Sequence, residues 1–312
     1  MKPARKKKVT VSLGLFLFLA FSIGLEPQST TRLWEKTLSI DPTKPVYLSF
    51  KDVDGDLALT ASTEKTVEIR TRIESLSKDQ KLSERLLEET KINVSQRGNN
   101  IDINILYPRL RAIFFRLRDY RRLKVSSEIA VPPQTNLTIR LVDGEASIKG
   151  KFQEVNLTTV DGSAWLEEIE GKLNLKTVDG RITVRQGKGQ VEAHSVDGDI
   201  LLRGKFEPLR VETTDGDISV ELEPGTPINN PWSLSTVDGD IELFLPEEIS
   251  ADLLLETGDG SVRCDVALIF TETVGQRKLS GRLNQGGPLI SLRTVNGLIW
   301  VKTTPPGKRM PS

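Results

Sequence analysis

A short phrase that recurs at a fixed interval constrains this chain more than any other feature. Five phrases follow one another: LVDGEASI, TVDGSAWL, TVDGRITV, SVDGDILL and TTDGDISV. Their turn aspartates lie 18 residues apart, at Asp143, Asp161, Asp179, Asp197 and Asp215. Related phrases occur at Asp54, Asp238, Asp259 and Asn296. A fixed period of this kind indicates a repeat architecture.

Each repeat predicts two short strands on either side of an Asp-Gly turn. Around Asp179, for example, the aliphatic residues Leu175, Ile182 and Val184 alternate with polar neighbours, and Thr177 lies two residues before the aspartate. Alternation with a period of two predicts strands that have one buried and one exposed face. The glycine after each aspartate suits a tight turn.

Two architectures fit these columns of residues. Either each repeat is one coil of a stack, or each Asp-Gly pair closes an antiparallel hairpin. The Thr or Ser that recurs two residues before the aspartate favours the stack, because parallel stacking lines these hydroxyls up as an inward ladder. We therefore predict an all-β fold: a single-stranded parallel β-solenoid with 18-residue rungs, two short strands per rung, and one short helix in the N-terminal part.

The period becomes irregular towards the carboxyl end. It lengthens to 23 residues before Asp238 and to 21 before Asp259, and 37 residues separate Asp259 from Asn296. Because 37 is two periods plus one, the sequence predicts an intervening rung that has lost its turn phrase.

The chain divides into four predicted parts. Residues 1–25 are a signal peptide or an N-terminal membrane anchor, and residues 31–124 are an irregular β part that includes a capping helix and a basic loop, 109–124. Residues 125–303 form the repeat solenoid, and residues 304–312 are a disordered tail. In the second part, Ser77 to Gln80 has the spacing of a capping box, and Leu82, Leu86 and Leu87 form one helical face. That helix is expected to cover the raw end of the stack.

The amino end has the pattern of an export signal. Five cations within residues 1–8 precede an apolar run from Val9 to Leu25, and small residues at Ser22 and Gly24 fit cleavage after Gly24. The run is at the short edge of what spans a bilayer, so an uncleaved anchor and a buried terminal helix are alternatives. The positive-inside rule predicts that the rest of the chain is exported, to the cell envelope, the periplasm or the surface.

Charge is distributed unevenly although the net charge is zero. Residues 1–124 carry 24 Lys and Arg against 15 Asp and Glu, whereas residues 125–312 carry 19 against 28. The most basic stretch surrounds Ile113, and its candidate contacts with an anionic membrane surface or a partner are Arg111, Phe114, Phe115, Arg116, Arg118, Arg121 and Arg122. The alternative is a solvated loop whose apolar residues pack on the first rungs.

Six carboxylates on three successive turns form the most conspicuous chemical cluster. They are Asp197, Asp199, Asp215, Asp217, Asp238 and Asp240. Ca²⁺ would relieve the repulsion between them, but Asp-Gly turns need no metal. Turn chemistry without a cofactor is therefore the prediction, and a calcium site is the alternative.

Other residue types give little support for catalysis. The single histidine, His194, falls in an outward column, and the single cysteine, Cys264, falls in the inward aliphatic column. One cysteine excludes an internal disulfide framework. Trp165 and Trp300 fall in an outward column, where they would stack on sugars or pack against a loop. No catalytic constellation recurs, so the chain is predicted not to be an enzyme, and a polysaccharide-acting β-helix is a third, enzymatic hypothesis.

The tandem T-V-D-G-D-I phrases and the final L-R-T-V-N-G-L-I-W-V resemble the bacterial "putative adhesin" family of unknown function, which is related to autotransporter adhesin heads. The resemblance covers roughly residues 38–303 and implies a β-solenoid without catalytic residues. It implies a non-enzymatic binding module of the cell envelope or surface, whose partner is a protein or a surface glycan and not a nucleic acid. Relatives in envelope-stress systems imply the alternative, a regulatory or scaffold module that contacts the membrane or a partner.

Overall fold

The computed structural model describes residues 30–108 and 123–304, which form nineteen strands and one helix. The N-terminal elements are β1 (Thr30–Ser39), β2 (Tyr47–Lys51), β3 (Asp56–Ala61), β4 (Thr66–Ser75), α1 (Gln80–Glu89), β5 (Lys91–Arg97), β6 (Asn100–Leu106), β7 (Leu123–Val131) and β8 (Asn136–Arg140). The predicted segment 1–25, residues 109–122 of the predicted basic loop 109–124, and the predicted tail from residue 305 onwards lie outside the described residues. The last two residues of that loop, Leu123 and Lys124, begin β7.

The remaining elements are strands that carry the repeat. They are β9 (Ala146–Thr158), β10 (Ala164–Lys176), β11 (Ile182–His194), β12 (Ile200–Glu212), β13 (Ile218–Leu222), β14 (Trp232–Ser235), β15 (Ile241–Leu245), β16 (Ala251–Cys264), β17 (Ile269–Val274), β18 (Lys278–Leu283) and β19 (Leu289–Thr303). The all-β prediction with one short helix is confirmed.

Parallel pairing between neighbouring repeats builds the centre of the molecule. β9, β10, β11 and β12 pair in parallel, with Ala146, Ala164, Ile182 and Ile200 in register. Each of these residues is 18 positions after the one before it, so the repeat in the sequence is the offset between paired strands. Hairpins between repeats would require antiparallel pairing, which these four strands do not have.

The turns stack in the same way as the strands. Parallel bridges join consecutive turn residues in the order Asp54, Asp143, Asp161, Asp179, Asp197, Asp215, Asp238 and Asn296. The early phrase at Asp54 therefore stacks directly on the repeat at Asp143. β2 and β3 accordingly pair in parallel with β8 and β9.

Antiparallel strands and the helix close the N-terminal end of the stack. β7 pairs in parallel with β3 but antiparallel with β4, and β4 pairs antiparallel with β1. On the other side, β5 and β6 form an antiparallel hairpin. The helix α1 packs against β1 and β4 and buries Leu86 and Leu87.

The cap of this helix differs from the sequence prediction. Asp79, rather than Ser77, is the N-cap residue, and its side chain accepts hydrogen bonds from the backbone N–H groups of Lys81 and Leu82. Ser77 instead accepts the N–H of Asp79. Two residues separated by Lys78 were suitable caps, and the sequence pattern did not discriminate between them.

The order of the last rungs is the main departure from the predicted architecture. β19 pairs in parallel with β14 and β15 on one side and with β16 on the other. The turn at Asn296 therefore lies between those at Asp238 and Asp259. The rung that comes last in the sequence is thus inserted between the two rungs that precede it in the sequence. The prediction of a missing rung between Asp259 and Asn296 was wrong, because β17 and β18 occupy that part of the sequence as an antiparallel pair.

The core is one continuous cluster of mainly aliphatic side chains that point inward from successive rungs. Fully buried members from successive rungs include Leu175, Ile182, Ile200, Val211 and Ile218. Strand residues between them face outward, as the period-two alternation predicts. Within the described residues, no helix is both long and apolar enough to cross a membrane.

Candidate functional site

A column of glycines fixes the shape of every Asp-Gly turn. Gly198 has a φ of +148°, and a Cβ built on it would lie 2.3 Å from the carbonyl oxygen of Gly180 in the neighbouring rung. The glycine is needed for this close approach as well as for its backbone conformation. The turns consequently lie directly above one another along one edge of the stack.

The buried hydroxyls predicted from the sequence hold these turns. Thr213, Thr236 and Thr257 are buried, and each donates to the carbonyl oxygen of a glycine in the adjacent rung, at 3.1–3.3 Å. The inward position of this column is confirmed. The hydroxyls of Thr159 and Ser195 are buried with no hydrogen-bond partner.

Carboxylates two residues after the turn bridge one rung to the next. Asp199 accepts the backbone N–H of Asp217 at 3.1 Å, Asp217 accepts that of Asp240 at 2.8 Å, and Asp240 accepts that of Leu298 at 2.7 Å. Burial alone would raise the pKa of Asp199, but the Asp217 N–H and the Arg181 guanidinium outweigh it and lower this pKa below its ordinary value. These oxygens satisfy amides that the strand ladder leaves free.

The six candidate calcium ligands therefore fall into two groups. Asp199, Asp217 and Asp240 use one oxygen each on a backbone amide. The turn residues Asp197, Asp215 and Asp238 are exposed on the edge. Across the described ranges, no group of three or more His, Cys, Asp or Glu side chains is arranged to hold a metal ion.

A shallow groove contains the exposed tryptophan, on the surface formed by the strand residues that directly follow the Asp-Gly turns. Trp165 is 41% exposed, and the guanidinium carbon of Arg185 lies 4.5 Å from its ring centroid. In register with Trp165 lie Ser147 on one side and Thr183 on the other, and Leu201 follows Thr183. This surface, which we call the Trp165 groove, has a volume of about 520 Å³.

The polar lining of the Trp165 groove is mixed in charge, with more acids than bases. Its charged residues are Glu145, Asp179, Asp197, Asp199, Arg181 and Arg185. Arg181 and Asp199 pair at 2.7 Å. An exposed indole surrounded by hydroxyl, carboxylate and guanidinium groups is suited to a polyhydroxylated ligand.

Trp300, in the same sequence column, has a different environment. Lys302 Nζ lies 3.1 Å and the Arg263 guanidinium carbon 4.4 Å from its ring centroid. Its Nε1–H donates to Asp265 at 2.7 Å. Trp300 is therefore held by two cations and a carboxylate of its own chain, whereas Trp165 has one arginine over its ring and is 41% exposed, so Trp165 is the more accessible of the two to a ligand.

His194 and Cys264 have structural environments. His194 is partly buried, and its ring nitrogens lie 3.0 Å from Glu192 and 3.2 Å from Glu212. Cys264 is the last residue of β16 and packs against the core, but it is only partly buried. Burial raises the pKa of its thiol.

The sequence prediction missed a buried carboxylate at the first turn. Asp52 is 3% exposed, and one of its oxygens accepts the Tyr107 hydroxyl at 2.7 Å and the Val53 N–H at 2.7 Å. Its other oxygen is buried without a partner. Burial raises the pKa of Asp52 and also that of Tyr107. The available signal was its position, because Asp52 occupies the column that holds Thr or Ser in most other rungs.

The candidate membrane-contact residues lie in a segment outside the described ranges. Arg111, Phe114, Phe115, Arg116, Arg118, Arg121 and Arg122 all lie in 109–122, outside the described residues.

A family model described as Toastrack DUF4097 matches residues 48–302, most of the chain. The chain belongs to the Toastrack DUF4097 family. This family has no established function, and the resemblance predicted from the turn phrases is confirmed. No curated protein sequence matches this Toastrack chain significantly.

Several solved structures resemble this Toastrack protein distantly. A "putative adhesin" from Bacteroides fragilis is 14% identical, with 90% of this chain and 100% of that chain covered and a TM-score of 0.47. A "putative adhesin" from Parabacteroides merdae is 12% identical, with 88% and 97% covered and a TM-score of 0.40. A "putative cell adhesion protein" from Clostridium sporogenes is 14% identical, with 88% and 100% covered and a TM-score of 0.28. Likenesses this distant carry no information about what this chain binds.

Proposed function

We propose that this Toastrack protein is an exported, non-enzymatic, adhesin-like module that binds a surface glycan at the cell envelope. The observation that carries the proposal is the Trp165 groove. It combines an indole that is 41% exposed with hydroxyl and charged side chains from neighbouring strands. Sugars present apolar C–H faces and many hydroxyls, so an aromatic platform beside polar groups is the chemistry that recognises them.

A rigid support is required for such a groove, and the proposed architecture supplies it. We interpret the parallel stack as a single-stranded β-solenoid in which each 18-residue unit between residues 141 and 220 is one rung. The in-register pairing of β9 to β12 supports this interpretation. Because the lining residues lie on paired strands or on the stacked turns that precede them, the groove is formed before the ligand arrives.

The charge of the groove restricts the class of glycan. Four carboxylates and two guanidinium groups line it, so a uronic acid or a phosphate-bearing polymer would meet net repulsion. An uncharged or amine-bearing saccharide fits better. A non-enzymatic role is supported by the use of the Asp199 carboxylate, which is engaged by the Asp217 N–H and by Arg181.

The test is a binding titration with short chito- and cello-oligosaccharides, followed by calorimetry. Trp165→Ala is expected to weaken binding about tenfold, because a stacked aromatic contributes roughly 1 kcal/mol beyond its buried area. Trp300→Ala is the matched control, since that ring occupies the equivalent column but is engaged by Lys302 and Arg263. Equal losses in the two variants, or no binding by the wild-type protein to any saccharide tested, would reject the proposal.

A second candidate function is an envelope scaffold or regulatory module held close to an anionic membrane. The observation that favours it is a register. Thr30 pairs with Ser75, and Ser75 pairs with Leu123. Thr30, which follows the N-terminal apolar segment, and Leu123, which follows the basic segment 109–122, therefore lie about two strand spacings apart, or roughly 10 Å.

Flotation with phosphatidylserine vesicles tests this second function. Replacing Arg111, Arg116, Arg118, Arg121 and Arg122 with Gln should abolish flotation, whereas replacing them with Lys should preserve it, because the attraction depends on charge. The assay uses the chain from residue 26 onwards, so that the apolar segment does not itself anchor the protein. Flotation that is unaffected by the Gln replacements would exclude membrane contact through this segment.

A further inference from the structure

An exposed row of valines runs along the edge formed by the Asp-Gly turns. The residue before the turn aspartate or asparagine is valine in most rungs, and each of these valines is between 37% and 56% exposed. They are Val53, Val142, Val160, Val178, Val196, Val237 and Val295. Single exposed apolar residues are ordinary on protein surfaces, but a contiguous line of them is not.

The backbone holds this row in a fixed line. From Val53 to Val237, the carbonyl oxygen of each valine accepts the N–H of the turn residue in the next rung, as from Asp161 to Val142 at 2.6 Å and from Asp179 to Val160 at 2.7 Å. Because consecutive turn residues also form parallel bridges, successive valines are separated by about one strand spacing, ~4.8 Å. The five from Val53 to Val196 are uninterrupted and span roughly 19 Å.

One flank of the valine row is acidic. The turn residues Asp143, Asp161, Asp179, Asp197, Asp215 and Asp238 are all exposed. Within the parts of the chain that the structure describes, no Lys or Arg forms a salt bridge with any of these six; the salt bridges of the neighbouring rungs involve other acids, such as Asp199. The opposite flank is mixed, with Arg140, Lys176 and Glu212 three residues before their turn aspartates.

The charge pattern and the spacing together select the occupant. A second copy that docked antiparallel through the same edge would bring two rows of carboxylates together, which is unfavourable, and one that docked parallel would set its aspartates against a flank that carries acids as well as bases. An extended strand laid along the row repeats its side chains on one face every ~6.6 Å, which does not match the rungs. An α-helix repeats one turn every 5.4 Å, so its i, i+3, i+4 and i+7 side chains stay close to successive valines over several turns.

We infer that the valine row and the adjacent turn aspartates form a docking edge for an amphipathic helix of a partner protein, with aliphatic side chains on the contact face and Lys or Arg on the flank that meets the aspartates. About 13 helical residues would cover the uninterrupted part of the row. The turn aspartates Asp179 and Asp197 also line the Trp165 groove, but none of the valines of the row does, so the apolar contact with a helix does not depend on the proposed glycan function.

The chain itself supplies conservative substitutions for a test. Thr214 takes the place of valine in one rung and Asn296 takes the place of the turn aspartate in another. Val160→Thr with Val178→Thr therefore removes apolar surface, and Asp161→Asn with Asp179→Asn removes charge, in each case with a residue that the stack already accommodates. Trp165→Ala is the control, because that side chain lies in the groove and not on this edge.

The probe is a synthetic helical peptide with Leu at i, i+3, i+4 and i+7 and Lys on one flank, measured by fluorescence anisotropy at low ionic strength. The valine pair should weaken binding about tenfold through lost apolar contact. The aspartate pair should weaken binding and also reduce its sensitivity to added salt. Trp165→Ala should bind as the wild type does.

Three outcomes would overturn the inference. Peptide binding that is absent, or that is unchanged in both pairs of variants while their thermal unfolding matches the wild type, would exclude the docking edge. Equal binding of a peptide of the same composition in scrambled order would reduce the effect to non-specific charge attraction. A concentration-dependent dimer that the valine substitutions abolish would assign the edge to a second copy instead.

Discussion

The Asp-Gly turns require glycine for two reasons: its backbone conformation, and the absence of room for a Cβ next to the neighbouring rung. Gly198 and Gly98 both have positive φ, but a Cβ on Gly198 would meet the Gly180 carbonyl oxygen at 2.3 Å, whereas a Cβ on Gly98 meets nothing within 4 Å. We expect Gly198→Ala to lower the free energy of unfolding by about 3 kcal/mol or more and Gly98→Ala by about 1 kcal/mol. Urea unfolding of both variants measures the difference. Similar losses would mean that the stack relaxes around the added methyl group.

Asp52 gives the molecule a dependence on pH that can be isolated by substitution. Burial raises its pKa above the ordinary value of 3.8, against the opposing effect of the Tyr107 hydroxyl. Because the folded state holds this proton more tightly than the unfolded chain, the stabilisation it provides is complete below about pH 4 and is lost as pH rises through the folded pKa.

The variant Asp52→Asn removes this titration. Relative to the wild type, its free energy of unfolding should therefore increase between pH 4 and pH 7. Asp41→Asn is the control of opposite sign, because hydrogen bonds from Thr43 lower the pKa of Asp41. Its stability relative to the wild type should fall as pH rises through the range below about pH 4, where the wild-type carboxyl ionises, and should change little between pH 4 and pH 7. A difference between Asp52→Asn and the wild type that does not vary with pH would contradict the buried titration.

At this scale the sequence could predict columns but not environments. Trp165 and Trp300 share one position in the repeat, and nothing in the spacing distinguishes them. Their difference comes from Lys302, on the same strand as Trp300, and from Asp265, just beyond the end of the neighbouring strand β16. Side-chain contacts across a stack depend on which rung lies next to which, and that information is not local.

Among the elements, the strands and the existence of α1 follow from periodicity, whereas the order of the last rungs does not. An interval of 37 residues is compatible with a missing rung, and only the pairing of β19 with β14, β15 and β16 excludes it. A period in the sequence reports how long each coil is. It does not report which coil becomes its neighbour.

This order of elements predicts different costs for two similar substitutions. Val301 in β19 is fully buried between neighbours on both sides, while Val262 in β16 is only partly buried at the outer end. Val301→Ala should lower the free energy of unfolding by about 2 kcal/mol or more, and Val262→Ala by less than about 1 kcal/mol. Chemical denaturation provides both values. The reverse ranking would indicate stacking in the order of the sequence.

The strands of the described ranges pair side by side from one end to the other, so stability should vary along this series of strands. A central rung has parallel partners on both sides, whereas β17 pairs only with β18 and is exposed in the side chains described. Hydrogen exchange should therefore be slowest for amides of β10, β11 and β12 and fastest for those of β17. Mass spectrometry of peptides from exchanged protein resolves these regions. Uniform protection from end to end would instead indicate a single cooperative unit.

The intercalated position of β19 has a consequence for the biogenesis of the protein. A chain made from its amino end has already released β15 and β16 when the strand that joins them is still to come. Until then each of these two rungs presents an open parallel edge to its surroundings. Closure of this gap must therefore await synthesis of residues 289–303, and in a crowded compartment the same gap is open to β19 of a neighbouring nascent chain.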